Sequence, residues 1–144
     1  MKTHVFVLLP ASISALELED AFYNLLKPHH LDQSGDESQP DWKYDYLCLF
    51  DATLNCEQTE GELPEEVRDL YHGTISKAAR LRPDATAGAL VTPEGVWHDI
   101  WSFGWRASGN PEANKSAMEK WNEHCSKLLR ENADCWVLET WAHS

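Results

Sequence analysis

The sequence predicts an α+β fold: a mixed or mainly antiparallel sheet of about five strands with three helices, in the order β-α-β-α-β-β-α-β. Three observations predict it. Lys2 to Leu9 and Cys135 to Trp141 are apolar on both parities, as central strands are. The stretches after Ser14 and after Asn110 carry apolar residues at helical spacing behind helix-start signals. Thr92-Pro93-Glu94-Gly95 fits a tight turn between two alternating stretches, as in a hairpin. The whole chain, 1–144, reads as one domain, the commonest size range for a single core. A ferredoxin-like arrangement with an inserted helix is the leading expectation.

The elements follow in order. Lys2 to Leu9 sets Val5, Val7 and Leu9 against Phe6 and Leu8. Its apolar run, Val5 to Leu9, is closed by Pro10 and is shorter than the roughly 7–15 residues of a secretory signal core. It therefore reads as the first strand of a cytoplasmic protein. In helix one, Ser14 and Glu17 have capping-box spacing, and Ile13 with Leu18 have staple spacing. Ala15, Leu18, Phe22 and Leu25 share its inner face, and Pro28 stops it. After a polar loop, Trp42 to Phe50 reads as a strand, with Trp42, Tyr44, Tyr46, Cys48 and Phe50 alternating against Lys43 and Asp45.

Pro64 suits the start of helix two, with Leu63, Val67, Leu70, Thr74, Ala78 and Leu81 marking the inner face. Gly73 weakens this helix and Arg82-Pro83 ends it. Ala87, Ala89 and Val91 then form the outgoing strand of the hairpin. In the return strand Trp97, Asp99, Trp101, Phe103 and Trp105 share one parity, and Val96, His98 and Ile100 the other. Asn110 caps and Pro111 opens helix three, which runs to about Asn132 on a stripe of Ala117, Trp121, Cys125 and Leu128. Cys135 to Trp141 is the last strand.

Composition limits the function classes. A hydrophobic fraction of 42% supports a real core, and 10% aromatic residues argue against wholesale disorder. No stretch approaches the roughly 18 apolar residues of a membrane span, so no membrane association is expected. Cys48, Cys56, Cys125 and Cys135 include no C-x-x-C pair and are expected as reduced thiols, with no structural metal and no cofactor. The formal charge is −12, from 24 acids and 12 bases. Between Asp36 and Asp69 stand eleven acids and two bases, Lys43 and Arg68, a net of −9. Direct binding to a nucleic-acid backbone is disfavoured, because that needs a positive patch. A partner protein with a basic surface, or mimicry of a phosphate backbone, fits the sign. A plain solvated acidic surface fits it too.

Chemistry-bearing motifs are sparse. There is no G-x-G-x-x-G, G-x-x-x-x-G-K or G-x-S-x-G. Of the seven histidines, none makes H-x-H or H-E-x-x-H, and a metal set of His98, His124 and His143 would need a proximity the sequence does not show. His98 and Asp99 are adjacent, so on a strand they point to opposite faces. Asp99 falls on the Trp face, where an apolar wall favours a protonated acid. A hydrolase using Asp99 or Glu94 with His98 or His143 is the least favoured of three functions, and no catalytic residue is assigned. A nucleotide-like ligand held by Trp97, His98, Trp101, Trp105, Arg106 and Arg82 is the second. Trp97 and Trp101 are expected as core beneath Trp121, leaving Trp105 as a contact residue.

The segment Ala89-Leu90-Val91-Thr92-Pro93-Glu94-Gly95-Val96-Trp97-His98, followed by Gly104-Trp105 and then Trp121, resembles a loosely defined set of small uncharacterised proteins common in bacteriophages and related bacteria. They share a T-P-[DE]-G-x-W-H pattern. The similarity extends to the opening His4-Val5-Phe6-Val7-Leu8-Leu9-Pro10, while only the turn segment is specific. Such proteins often carry Gly-Gly-Arg after the second strand and end in Asp-Cys-His. This chain has Cys48-Leu49-Phe50-Asp51 and Thr140-Trp141-Ala142-His143 in those places. The resemblance implies a phage or mobile-element setting and brings no activity with it.

The first expectation is thus a non-enzymatic acidic accessory protein, phage-type, that binds and inhibits a host protein or defence complex in the host cytoplasm. Its contact residues would be Asp36, Glu37, Asp41, Trp42, Glu57, Glu60, Glu62, Glu65, Glu66 and Trp105. Homo-oligomerisation stays open.

Overall fold

The computed structural model describes residues 1–31, 42–49 and 75–144. Its elements are β1 (Lys2–Leu9), α1 (Leu18–Leu26), β2 (Tyr46–Leu49), β3 (Ile75–Lys77), β4 (Ala89–Val91), β5 (Trp97–Asp99), α2 (Pro111–Glu131) and β6 (Trp136–His143). The fold is α+β with a mixed, open sheet in the order β2-β6-β1-β4-β5. β3 shares β2's side of β6: β2 pairs with the stretch from Thr140 to His143, and β3 with Trp136 to Leu138. β1 and β4 run parallel; the other ladders are antiparallel. Among the described residues no helix is long and apolar enough to cross a membrane.

β1 and β6 pair along their full length, from Lys2↔His143 to Leu9↔Trp136. They are apolar on both parities because a helix covers each face of the sheet. Val5, Val7, Leu9, Ala89, Val91 and Leu138 pack with Leu18, Phe22 and Leu26 of α1. Phe6, Leu8, Leu90 and Val137 pack with Trp121, Cys125, Leu128 and Leu129 of α2. Fully burying one such large side chain stabilises by about 1.5–3 kcal/mol.

α2 matches its sequence signals. The Asn110 side chain accepts from the backbone N–H of Glu112 (2.8 Å) and Ala113 (3.3 Å), and Ala117, Trp121, Cys125 and Leu128 are buried. Cys125 and Cys135 are free thiols, and burial pushes both thiol pKa values up. The start of α1 differs from expectation. A short 3-10 turn, Ala15–Glu17, precedes it, and Glu17 caps α1 without a side-chain hydrogen bond. Ile13 and Leu18 do meet in the same core cluster.

Helix two is corrected where it is described. Ile75–Lys77 is a strand and Ala78–Arg80 a 3-10 turn. The chain end around β6 takes up this backbone: Ala78 N–H donates to Cys135 O and Ala79 N–H to Ala133 O, both at 3.0 Å. Lys77 Nζ sits 3.7 Å from the centre of the Trp136 ring, a further tie to β6. Ala78 and Leu81 still reach the second core, three residues apart. That spacing is common to an α-helix and a 3-10 turn, so the pattern could not separate them. Pro64 to Thr74 lies outside the described residues.

The expected element order is corrected with it, since β3 intervenes before the hairpin. The ferredoxin-like expectation is not confirmed. β6 does separate β1 from β2, the two strands joined through α1, but the full order β2-β6-β1-β4-β5 with β3 beside β6 is not the ferredoxin-like one.

The strand expected at Trp42 to Phe50 is shorter and changes face. Tyr44 makes an isolated bridge to His30, the chain bends at Asp45, and β2 begins at Tyr46. Tyr44 is buried and Tyr46 is exposed, while Leu47 packs on the first core. Two ties at Asp45 explain the break: its N–H donates to His143 O (2.9 Å), and its Oδ1 lies 2.8 Å from His143 Nδ1.

A tryptophan-walled cleft as the candidate functional site

The cleft arises because β5 is short. After Asp99 the chain turns into a 3-10 helix, Ile100–Phe103, that ends at Gly104 with φ +99°. Asp99 causes this turn: its Oδ1 accepts from Ser102 N–H (3.0 Å) and Ser102 Oγ–H (2.9 Å), the geometry of a helix N-cap. Asp-x-x-Ser before Gly was the sequence signal for it, overlooked because the Trp spacing mimics a longer strand.

The turn separates side chains that strand parity would have kept together. Phe103 packs on Trp121 with ring centres 5.7 Å apart. Trp101 and Trp105 meet edge to face at 6.1 Å, and neither joins a core cluster. Trp97 is half-buried, stacks on Tyr44 (6.5 Å, 18°) and packs against the α1-side core. The expectation that Trp121 would cover Trp97 and Trp101 is therefore corrected: Trp121 lies on the other face, its Nε1–H donating to Ala87 O at 2.7 Å.

Four of the seven Trp side chains gather in two adjoining hollows. One, of about 250 Å³, is lined by Trp42, Lys43, Trp97, Asp99 and Trp101, together with Met1, Thr3 and Ser144. The other, of about 220 Å³, is lined by Trp101, Trp105, Ile100, Met118, His4 and Gly88, with Met1, Lys2 and Thr3. Trp101 stands between them as a shared wall. A larger hollow of about 380 Å³ lies by the C-terminal part of α2, between Arg82 and Arg130. Its other walls are Ala, Leu, Pro and Ser, so it offers no aromatic surface.

Asp99 is the acidic group of the cleft, at 7% exposure. Besides Ser102 it accepts the Trp97 Nε1–H on Oδ2 (3.1 Å), and Lys43 Nζ stands 4.0 Å from that same oxygen. Arg106 does not face a ligand. Its guanidinium donates to Trp101 O (2.9 Å) and Trp105 O (2.6 Å), while its backbone exchanges bonds with the Asn114 amide. It clamps the turn and so holds the two indoles in place.

The other named residues lie elsewhere. His98 points to the α2 face, where its Nδ1 is 3.1 Å from His124 Nε2. Burial and the neighbouring His124 charge push the His98 pKa down, with Asp99 opposing. Glu94 is exposed in the hairpin turn. His143 pairs with Asp45 and stacks on Tyr46 (4.4 Å), and that hydrogen bond holds the Asp45 pKa below its usual value. β5 and β6 are three ladder spacings apart, roughly 14 Å, so His98 and His143 do not converge. Among the described residues no group of three or more His, Cys, Asp or Glu could hold a metal ion. Trp97, Trp101 and Trp105 of the nucleotide set meet in the cleft; His98 and Arg82 do not. Asp36, Glu37, Asp41, Glu57, Glu60, Glu62, Glu65 and Glu66 lie outside the described residues.

Sequence reasoning also missed a buried acid. Glu139, in the middle of β6, is 4% exposed, with His4 Nε2 at 3.1 Å from its Oε1 and the His4 ring stacked on Trp141 at 5.1 Å. The signal was a lone acid inside Val137-Leu138-Glu139-Thr140-Trp141, a strand otherwise read as apolar on both faces.

No family model, curated protein or solved structure matches this chain.

What the cleft offers chemically is indole surface, the Asp99 carboxylate and the ammonium groups of Lys43, Lys2 and Met1. Indole faces hold apolar groups by contact and cations through the ring quadrupole.

Proposed function

We propose that this chain is a non-enzymatic acidic binding protein that docks on the basic surface of a partner protein, with the Trp cleft as its anchor. One observation carries the proposal: Trp42, Trp97, Trp101 and Trp105 line one concave edge of the sheet, half-buried. Closing a partner over these indoles would remove their remaining apolar surface from water. Aromatic anchors in pockets dominate binding energy at interfaces. The charge of −12 adds long-range attraction to a basic surface and speeds encounter. The phage resemblance supplies the setting, in which a host protein or defence complex in the cytoplasm is the partner and binding inhibits it.

The test compares wild type with a Trp42→Ala/Trp105→Ala double variant as immobilised bait in host lysate, at low and high salt. The expected result is a defined captured protein that is lost with the double variant and weakened by salt. Equal capture by the double variant, or capture indifferent to salt, overturns the proposal.

A further inference from the structure

We infer that the half of the cleft floored by Asp99 is an ammonium pocket, shaped to take a lysine side chain of the partner. This rests on the recognition role proposed above and names the group recognised.

The acceptor geometry of Asp99 selects the ligand. A carboxylate has about four lone-pair sites. Ser102 fills two on Oδ1 and the Trp97 indole fills one on Oδ2. One site remains, on Oδ2. An arginine fork needs two oxygens side by side, and here one of them is already taken twice. A single-pronged N–H donor meets the vacancy without breaking the turn.

The walls select the same chemistry. Trp42, Trp97 and Trp101 line the hollow around Asp99. Indoles are the strongest of the aromatic rings for cations, and they also cover an alkyl stem. The fold already uses this contact once, where Lys77 lies over Trp136 at 3.7 Å.

The chain's own Lys43 marks the position. Its Nζ is 4.0 Å from Asp99 Oδ2, too far for a hydrogen bond, and its side chain is 39% exposed. Lys43 thus stands as a loosely held occupant that an incoming ammonium displaces. The adjoining hollow, with Trp101, Trp105, Ile100 and Met118, then receives an apolar neighbour of that lysine.

The experiment follows the indole N–H signals of Trp97 and Trp101 by NMR during titration with three probes: the acetylated methylamides of lysine, arginine and norleucine. Lysine should shift both signals at millimolar concentration, arginine at least several-fold more weakly, and norleucine not at all. Lys43→Met removes the internal occupant and should tighten lysine binding several-fold. Asp99→Asn should abolish it. Because Asp99 also caps the turn, Lys43→Met, which leaves every hydrogen bond of Asp99 in place, carries the decision if Asp99→Asn perturbs folding. Arginine or norleucine binding as well as lysine, or Lys43→Met failing to tighten lysine binding, overturns the inference. If lysine leaves the indoles unmoved while the captured partner still depends on Trp42 and Trp105, the inference falls and the recognition role stands. If lysine binds as described and no partner is captured, the inference stands and that role falls.

Discussion

The two faces of the sheet end differently at the β5 edge. On one, α2 runs for 21 residues, about 32 Å, and the core continues to the edge: Phe103 closes on Trp121 and His98 pairs with His124. On the other, α1 has nine residues, about 14 Å. Its C-terminal end reaches Trp97 through His29, and beyond that Trp42 and Trp101 belong to neither core, nor does Trp105, whose hollow is bordered by Met118 of α2. The same residue type thus packs under α2 at Trp121, and lines a cleft at Trp42, Trp97 and Trp101, beyond the reach of α1, and at Trp105 beside Met118 of α2. Adjacent residues experience both outcomes, since Asp99 floors the cleft and His98 lies on the other face.

The largest expected effect tests the closed face. Trp121→Ala removes a side chain at 1% exposure and its bond to Ala87 O, and should destabilise by about 3–5 kcal/mol in urea unfolding. Trp101→Ala, on the open face, should cost under about 1 kcal/mol while abolishing partner capture. Equal losses would erase the distinction between the faces.

Gly104 ends the 3-10 turn between Phe103 and Trp105. A Cβ there meets nothing within 4 Å, so the φ of +99° alone makes substitution unfavourable. Gly104→Ala should cost about 1–2 kcal/mol. A neutral result would mean that the turn is not held in this conformation.

Arg106→Ala removes a donor from Trp105 O and leaves Trp101 O with the Gly104 N–H alone, and should cost about 1 kcal/mol. Its sharper readout is the Trp101 and Trp105 indole signals, which should broaden, with lysine affinity reduced. Unchanged indole signals would show that the turn needs no clamp.

The smallest effect is the acid response of the closed face. The His98 pKa is lowered in the fold, so the unfolded chain binds the proton more readily. Stability from this source is complete above the unfolded value of about 6.5 and is lost as pH falls through that value towards the folded one. Thermal unfolding should shift downward between pH 7.5 and 5.5, and His98→Phe should flatten that slope. Asp45 acts in a separate window. Its lowered pKa gives stability present above the unfolded carboxylate range of about 4 and lost below it. An unchanged slope in His98→Phe would place the acid response elsewhere.

Much of the fold was legible because the signals were local. β1, α2 and β6 each carry their pattern within one element, and the β4–β5 turn has its own chemistry in Thr92-Pro93-Glu94-Gly95. Ile75–Lys77 was not legible, because a three-residue strand shows no period and its partner, β6, lies about sixty positions away. The face change at Asp45 depends on His143, 98 positions distant. Of the cleft, the weight of Trp in the hairpin was visible and Trp105 was set apart as a contact residue. Trp42 was singled out as an anchor, though for an acidic surface and not for this hollow. The role of Arg106 was invisible, since its guanidinium binds carbonyl oxygens and carbonyls leave no trace in a sequence.

Taken alone, the sequence determined which segments bury their side chains, where α2 begins, and that the molecule is strongly acidic, because periodicity, caps and charge are properties of neighbouring residues. Tertiary structure alone decided that β1 lies beside β4, that Phe103 and Trp105 part company at Gly104, and that three indoles surround Asp99. Those outcomes depend on helix length against sheet width and on contacts between distant segments, and no local pattern encodes either.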